Sequence, residues 1–168
     1  MKQHHVFSFL QRMGKSFMLP IAVLPVAGIF LGVGSSLTNE TTIAALHLES
    51  VLGQGTFFYS VLILLKQVGK VLFDNLPLIF AVSIALGMSK RRKEVAALAA
   101  IIAFFVMHAT INTLLCLDGS IVNGVVSNYI LDGSITSVCG MLSLEMGVFG
   151  GIIVGLGVSY LHNRFYQI

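Results

Sequence analysis

Lys90-Arg91-Arg92-Lys93 sits between two long apolar runs, Val71 to Ser89 and Val95 to Leu115. Each run is close to the ~20 residues that cross a bilayer as a helix. Adjacent cations of this kind cannot sit in hydrocarbon, so they read as a tight cytosolic turn of a helical hairpin. In a soluble protein the same run would suggest nucleic acid or a localisation signal. That reading needs a folded soluble surface around the run, and the flanking sequence offers none.

Composition agrees. Only 10% of the 168 residues are charged and 56% are hydrophobic, whereas soluble domains carry about 25% charged residues. So little charge cannot cover a water-soluble globule. The class is all-α integral membrane, with room for about four transmembrane helices and modest loops. The formal charge of +3 matters less than where the cations fall. Trp is absent, so an interfacial aromatic belt rests on Phe and on Tyr59, Tyr129, Tyr160 and Tyr166.

Residues 4–15 place Val6, Phe9, Leu10 and Met13 at helical spacing opposite His5, Gln11, Arg12 and Lys15. This predicts a short amphipathic helix on an anionic leaflet; an unstructured basic terminus is the alternative. The spans are predicted at 17–37, 71–89, 95–115 and 145–162. The first carries Pro20 near its start, Pro25 inside where a kink is expected, and Gly28 and Gly32 one turn apart for close approach of a neighbour. Its cationic start and small-residue end also resemble a signal peptide, but the length and the later spans favour an uncleaved helix. The apolar stretch at 51–68 is either a fifth span or an outer interfacial helix. With four spans and the N-terminus inside, eight basic residues lie on the cytosolic side and two, Lys66 and Lys70, outside. A fifth span would put the N-terminal cations and the basic turn on opposite sides, so the interfacial helix is favoured. Both termini are then cytoplasmic, in a multi-pass protein with membrane lipids as partners.

Polar groups fall in the second, third and fourth spans. Asp74-Asn75-Leu76-Pro77 lies in the outer end of the second span, where Pro77 could kink the helix and free a carbonyl. His108 and Asn112 are one turn apart in the third span and suit a hydrogen bond to each other or to a neighbouring helix; a proton relay is the alternative. The third span also carries a small-residue stripe, Ala96, Ala99, Ala100 and Ala103. Leu117 to Ser143 reads as a long outer loop, partly packed through Val122, Val125, Val126, Tyr129, Ile130 and Leu131. Glu145 then opens the fourth span, where Gly147, Gly151, Gly155 and Ser159 recur every four residues and predict a buried helix–helix contact.

No catalytic, cofactor-binding or metal-ligating set emerges, and substrate-binding residues stay unassigned. Gly14-Lys15-Ser16 looks like the end of a phosphate-binding loop, but Phe9 stands where that pattern needs Gly. His4 and His5 diverge on a helix, and His47 stands alone in a loop. Asn39-Glu40-Thr41 fits a glycosylation sequon. Cys116 and Cys139 match no zinc spacing; they are either one outer disulfide or two free thiols. Three classes therefore stay open: part of a solute transporter, a membrane scaffold or regulator, and a membrane-embedded enzyme. Kinked helices and glycine faces favour the first.

The run from Gly14 to Gly28, continuing to Leu31-Gly32-Val33-Gly34, resembles the first helix of bacterial phosphotransferase-system sugar permeases. The resemblance is to the membrane IIC component of the glucose, maltose and N-acetylglucosamine superfamily, leaning to the maltose/glucose type. Asn75 to Ala81 with Ala85-Leu86-Gly87 resembles its second helix, and Val95 to Ala100 the start of its third. Glu145 to Gly151 and His162 to Tyr166 resemble the helix that follows. The resemblance implies sugar import coupled to phosphorylation by a cytosolic IIB domain, with phosphoenolpyruvate as the ultimate donor. It implies that residues 1–168 are a partial IIC domain, the interface half used for homodimerisation. The C-terminal half that contacts sugar, and the IIB phosphocysteine motif, have no counterpart here. The chain alone is then expected not to transport, and it needs no cofactor. The alternative is a truncated or split-gene scaffold that associates through its Gly-rich helix.

Overall fold

Apolar runs of membrane length leave the backbone no partner but itself, so helix dominates. The structure, a computed structural model, describes residues 2–127 and 134–165. Eight helices occur among them: α1 (Lys2–Ser16), α2 (Met18–Leu37), α3 (Glu40–Ala45), α4 (Glu49–Leu52), α5 (Phe57–Asp74), α6 (Leu76–Met88), α7 (Lys93–Leu117) and α8 (Gly147–Phe165). Residues 6–37 and helix α7 are each long and apolar enough to cross a bilayer, and α5 with α6 qualify as a pair. The protein is an all-α membrane protein. Tyr129, Ile130, Leu131 and Asp132 of the expected loop, Tyr166, and the side chains of His4 and His5 lie outside the described residues.

Three boundaries differ from expectation, the first being the interfacial helix expected at 51–68, which divides into α4 and an α5 that runs on to Asp74. The span expected at 71–89 is divided at Asn75, between α5 and α6. Pro77 therefore sits in the first turn of α6, where its missing N–H costs nothing, and it starts a helix instead of kinking one. The stretch between α7 and α8 also contains two antiparallel hairpins. Strands β1 (Ile121–Val122) and β2 (Val125–Val126) turn at Asn123-Gly124, and β3 (Ile135–Val138) and β4 (Met141–Leu144) turn at Cys139-Gly140. Both residues of each turn have positive φ, the two-residue geometry that matches strand twist.

The chain divides into two units, Ile21–Asp74 and the remainder, Met1–Pro20 with Asn75–Ile168. In the first, α2 and α5 approach through glycine, but not the expected pair. Gly28 and Gly32 face open space. A Cβ on Gly34 would lie 2.6 Å from the Lys66 amide nitrogen, and one on Gly69 would lie 2.8 Å from the Ala27 carbonyl oxygen. Spacing alone marks a helix face; it does not say which face meets a neighbour. Asn39 caps α3, its Oδ1 accepting from the Thr41 amide at 3.0 Å and the Thr41 hydroxyl at 2.7 Å. That gives the sequon residues a structural role.

In the second unit α6 is the central helix, packed by α8, α7 and α1. Phe80, Ile84 and Met88 meet Met13 and Phe17 from one side and Val148, Ile152 and Leu156 from the other. The Phe17 and Phe80 rings stand edge-to-face at 5.6 Å, a favoured aromatic geometry. Ala85, Ala96 and Ala100 are fully buried together, as the alanine stripe predicts. Helix α7 shows both of its faces clearly. Ala96, Ala100, Phe104 and His108 point inward, while Leu98, Ile102 and Val106 are each more than half exposed. An apolar outer stripe of that length is a lipid-facing surface.

The expected face of α8 is buried at Gly151, Gly155 and Ser159, and the two glycines pack on α6 of the same chain, while Gly147 faces open space. A Cβ on Gly151 would overlap the Pro77 carbonyl oxygen and lie 2.9 Å from its carbon. One on Gly155 would lie 2.7 Å from the Ala81 carbonyl oxygen and 2.8 Å from Ile84 Cβ. The surface that the scaffold alternative assigned to self-association is occupied inside the fold at these two glycines.

Candidate functional site

The side-chain hydrogen bonds between elements of the α6–α8 unit fall at its two ends. At the hairpin end, α7 presents His108 and Asn112 to β4. His108 Nδ1 and Ser143 Oγ are 2.7 Å apart, both buried, and Asn112 Nδ2 donates to the Leu142 carbonyl at 2.7 Å. The two side chains thus hold a strand, and neither the expected mutual bond nor a bond to a neighbouring helix forms. The reason is the β3–β4 hairpin, which brings backbone and hydroxyl partners closer than any helix could. The His108 ring also lies 4.5 Å from that of Phe104.

The same hairpin reaches the break before α6. The Cys139 thiol donates to Asn75 Oδ1 at 3.5 Å, and burial pushes its pKa up. The thiol therefore stays protonated at neutral pH and is a poor nucleophile. Cys116 is exposed and also free, so of the two cysteine readings the structure has the unpaired thiols. Asp74 is taken by an exposed ion pair with Lys70 at 2.8 Å.

At the other end, the chain reverses through Lys90 to Lys93, with Arg92 in the left-handed region at φ 45°. All four cations are exposed. The turn is held by the last residues of α8. Asn163 Nδ2 donates to the Met88 carbonyl at 3.0 Å, and its Oδ1 accepts from the Lys90 amide at 2.8 Å. His162 Nε2 lies 2.8 Å from the Arg91 carbonyl; a carbonyl only accepts, so that nitrogen carries hydrogen. One side chain thereby satisfies an otherwise orphaned carbonyl at the end of α6 and the first amide of the turn. Sequence reasoning missed this role. The available signal was a polar pair closing an apolar helix on the same side as the basic run.

Helix α1 contributes to this end too. Ser16 contacts Gly87, three residues before Lys90, and its hydroxyl donates to the Arg12 carbonyl at 2.9 Å. That bond places Gly14-Lys15-Ser16 inside a continuous helix, not in a phosphate loop. The Ser83 and Ser89 hydroxyls are buried without a partner, the first within α6 and the second at its C-cap.

Helices long and apolar enough to cross a bilayer, with an exposed apolar stripe along α7, define a helical membrane protein. A family profile described as "Phosphotransferase system, EIIC" matches residues 14–168. The chain belongs to that family. It is 37% identical over 163 residues to the "PTS system glucose-specific EIICBA component" of Staphylococcus saprophyticus, a match that covers 97% of this chain and 22% of that protein. The chain thus spans about a fifth of the length of this curated relative.

Proposed function

We propose that this chain is the interface portion of a glucose-type sugar permease of the phosphotransferase system, which imports sugar as a IIB domain phosphorylates it. The observation that carries the reading is the family match from residue 14 to 168. The relative's name supplies the sugar and, through the letters EIICBA, a fused IIB domain as the partner. In this reading residues 1–168 are a partial IIC domain that dimerises and supports a sugar-contacting half. In this reading the sugar is contacted by residues of that second half. By itself the chain does not transport. Both ends of the segment lie in the cytosol of a bacterial cell, with the basic turn beside them.

The test is a chimera in which this chain replaces the matching segment of the Staphylococcus saprophyticus protein. It is expressed in cells without a glucose permease and assayed for phosphoenolpyruvate-dependent uptake of radiolabelled glucose. Uptake by the chimera, with background levels from the 168-residue chain alone, is expected. A chimera that reaches the membrane but takes up no glucose, or uptake by the chain alone, contradicts the proposal.

A further inference from the structure

The basic end of the α6–α8 unit carries exposed cations on a turn whose backbone is tied to α8. We propose that it is a binding site for the phosphate groups of an anionic lipid, formed by the Lys90–Lys93 turn with Arg12 and Lys15 of α1 and Arg164 of α8. The inference goes beyond the sugar reading and does not depend on it.

Three observations converge on one end of the unit. The turn's four side chains are exposed while its backbone is tied to α8 through His162 and Asn163. Arg164 follows that pair directly and is also exposed. Arg12 and Lys15 are exposed and lie within one helical turn of Ser16, which touches Gly87. Three residues of chain reach at most about 11 Å, so Gly87 holds α1 close to the start of the basic run. The cations thus come from three separate elements, and Glu94 is the carboxylate in their midst.

Charge and surface chemistry together select lipid over other anions. Helix α1 exposes Val6, Phe7, Phe9 and Leu10, with Phe7 69% accessible, beside its cations. An exposed apolar edge next to fixed positive charge suits the boundary between headgroups and acyl chains. Clusters of four or more Lys/Arg next to a membrane helix attract anionic lipid, roughly fivefold in affinity for each cation within reach. A headgroup with two phosphates, such as that of cardiolipin, can engage the turn and α1 at once. The Asn163 tether gives the turn one geometry in advance, which lowers the ordering cost of binding.

The full chain, purified in nonionic detergent, is titrated with cardiolipin and with phosphatidylcholine, and bound lipid is counted by native mass spectrometry. Cardiolipin is expected to bind at least about tenfold tighter than phosphatidylcholine. The preference is lost in K90Q/R91Q/R92Q/K93Q, is reduced several-fold in R12Q/K15Q, and falls to a lesser degree in N163A, which keeps every charge but frees the turn. R12Q/K15Q lies on an exposed helix face, so its result stands even if the fourfold variant inserts poorly. Equal binding of the two lipids by the unaltered chain overturns the proposal, as does an undiminished preference in R12Q/K15Q. So does displacement of cardiolipin by an equal concentration of inorganic phosphate, which would mean that the site reads free phosphate. A fourfold variant that keeps its lipid preference but abolishes glucose uptake in the chimera would assign the turn to a protein partner and overturn it too.

Discussion

Gly151→Leu is expected to lower the stability of the protein by about 3 kcal/mol or more, the upper range for overpacking a close contact. The cost comes from where the new side chain would go. A Cβ alone would already overlap the Pro77 carbonyl oxygen. That oxygen belongs to the first turn of α6, so it cannot swing aside like the tip of a flexible side chain. Either α6 and α8 separate or the start of α6 distorts. In lipid there is little water to exclude between helices, so close van der Waals contact supplies much of the attraction, and separation forfeits it. Gly155→Leu is expected to cost nearly as much, because its Cβ would press on Ala81 and Ile84. Gly157 is the control: it faces open space, and Gly157→Leu should change stability by no more than about 1 kcal/mol. Loss of helical circular dichroism on titration with SDS in mixed micelles reads all three. If Gly151→Leu and Gly157→Leu unfolded together, the α6–α8 contact would not be as described.

His108→Ala is expected to cost about 2–4 kcal/mol, from two separable sources. It leaves the Ser143 hydroxyl fully buried without its partner, which alone costs about 1–3 kcal/mol. It also removes a ring packed on Phe104, itself 1% exposed, and leaves a cavity. Ser143→Ala should cost less, since it strands a ring nitrogen but opens almost no space. The combination His108→Phe with Ser143→Ala replaces both polar partners and keeps the ring, so it should lie closer to the unaltered protein than His108→Phe or Ser143→Ala alone, the two single changes that complete its cycle. The same unfolding titration checks the set. Additive costs across the double-mutant cycle would mean that the His108–Ser143 contact contributes nothing specific.

Much of this fold is readable from the apolar runs, because hydrocarbon leaves the backbone so few options. Helices α1, α2, α7 and α8 begin and end within three residues of the expected positions. The break at Asn75 falls inside an otherwise apolar run from Val71 to Ser89, where Asp74 and Asn75 read as polar groups within one span and Pro77 marks the break only if read as a helix start. The hairpins have a plain signature in Asn123-Gly124, set between Ile121-Val122 and Val125-Val126, yet strands of two residues are too short for alternation to declare them. The glycine pattern of α8 predicts a buried face, whereas Gly28 and Gly32 carry the same spacing and stay open. Partner identity is a tertiary fact, and one helix's periodicity does not contain it. The polar ties show the same limit. His108 and Asn112 are visible as a pair, but their partners arrive on a strand about 30 residues later, at Leu142 and Ser143.

Every functional statement here depends on which side of the membrane the basic turn occupies. A IIB domain and its phosphoryl donor are cytosolic in the proposed reading, and the Lys90–Lys93 run is the marker that places them. Alkaline phosphatase needs its disulfides and so becomes active only outside the cytosol. Fused after Lys93 it should be inactive, and fused after Ser120, past the end of α7, it should be active. Activity after Lys93 with none after Ser120 would invert the bundle and contradict the account.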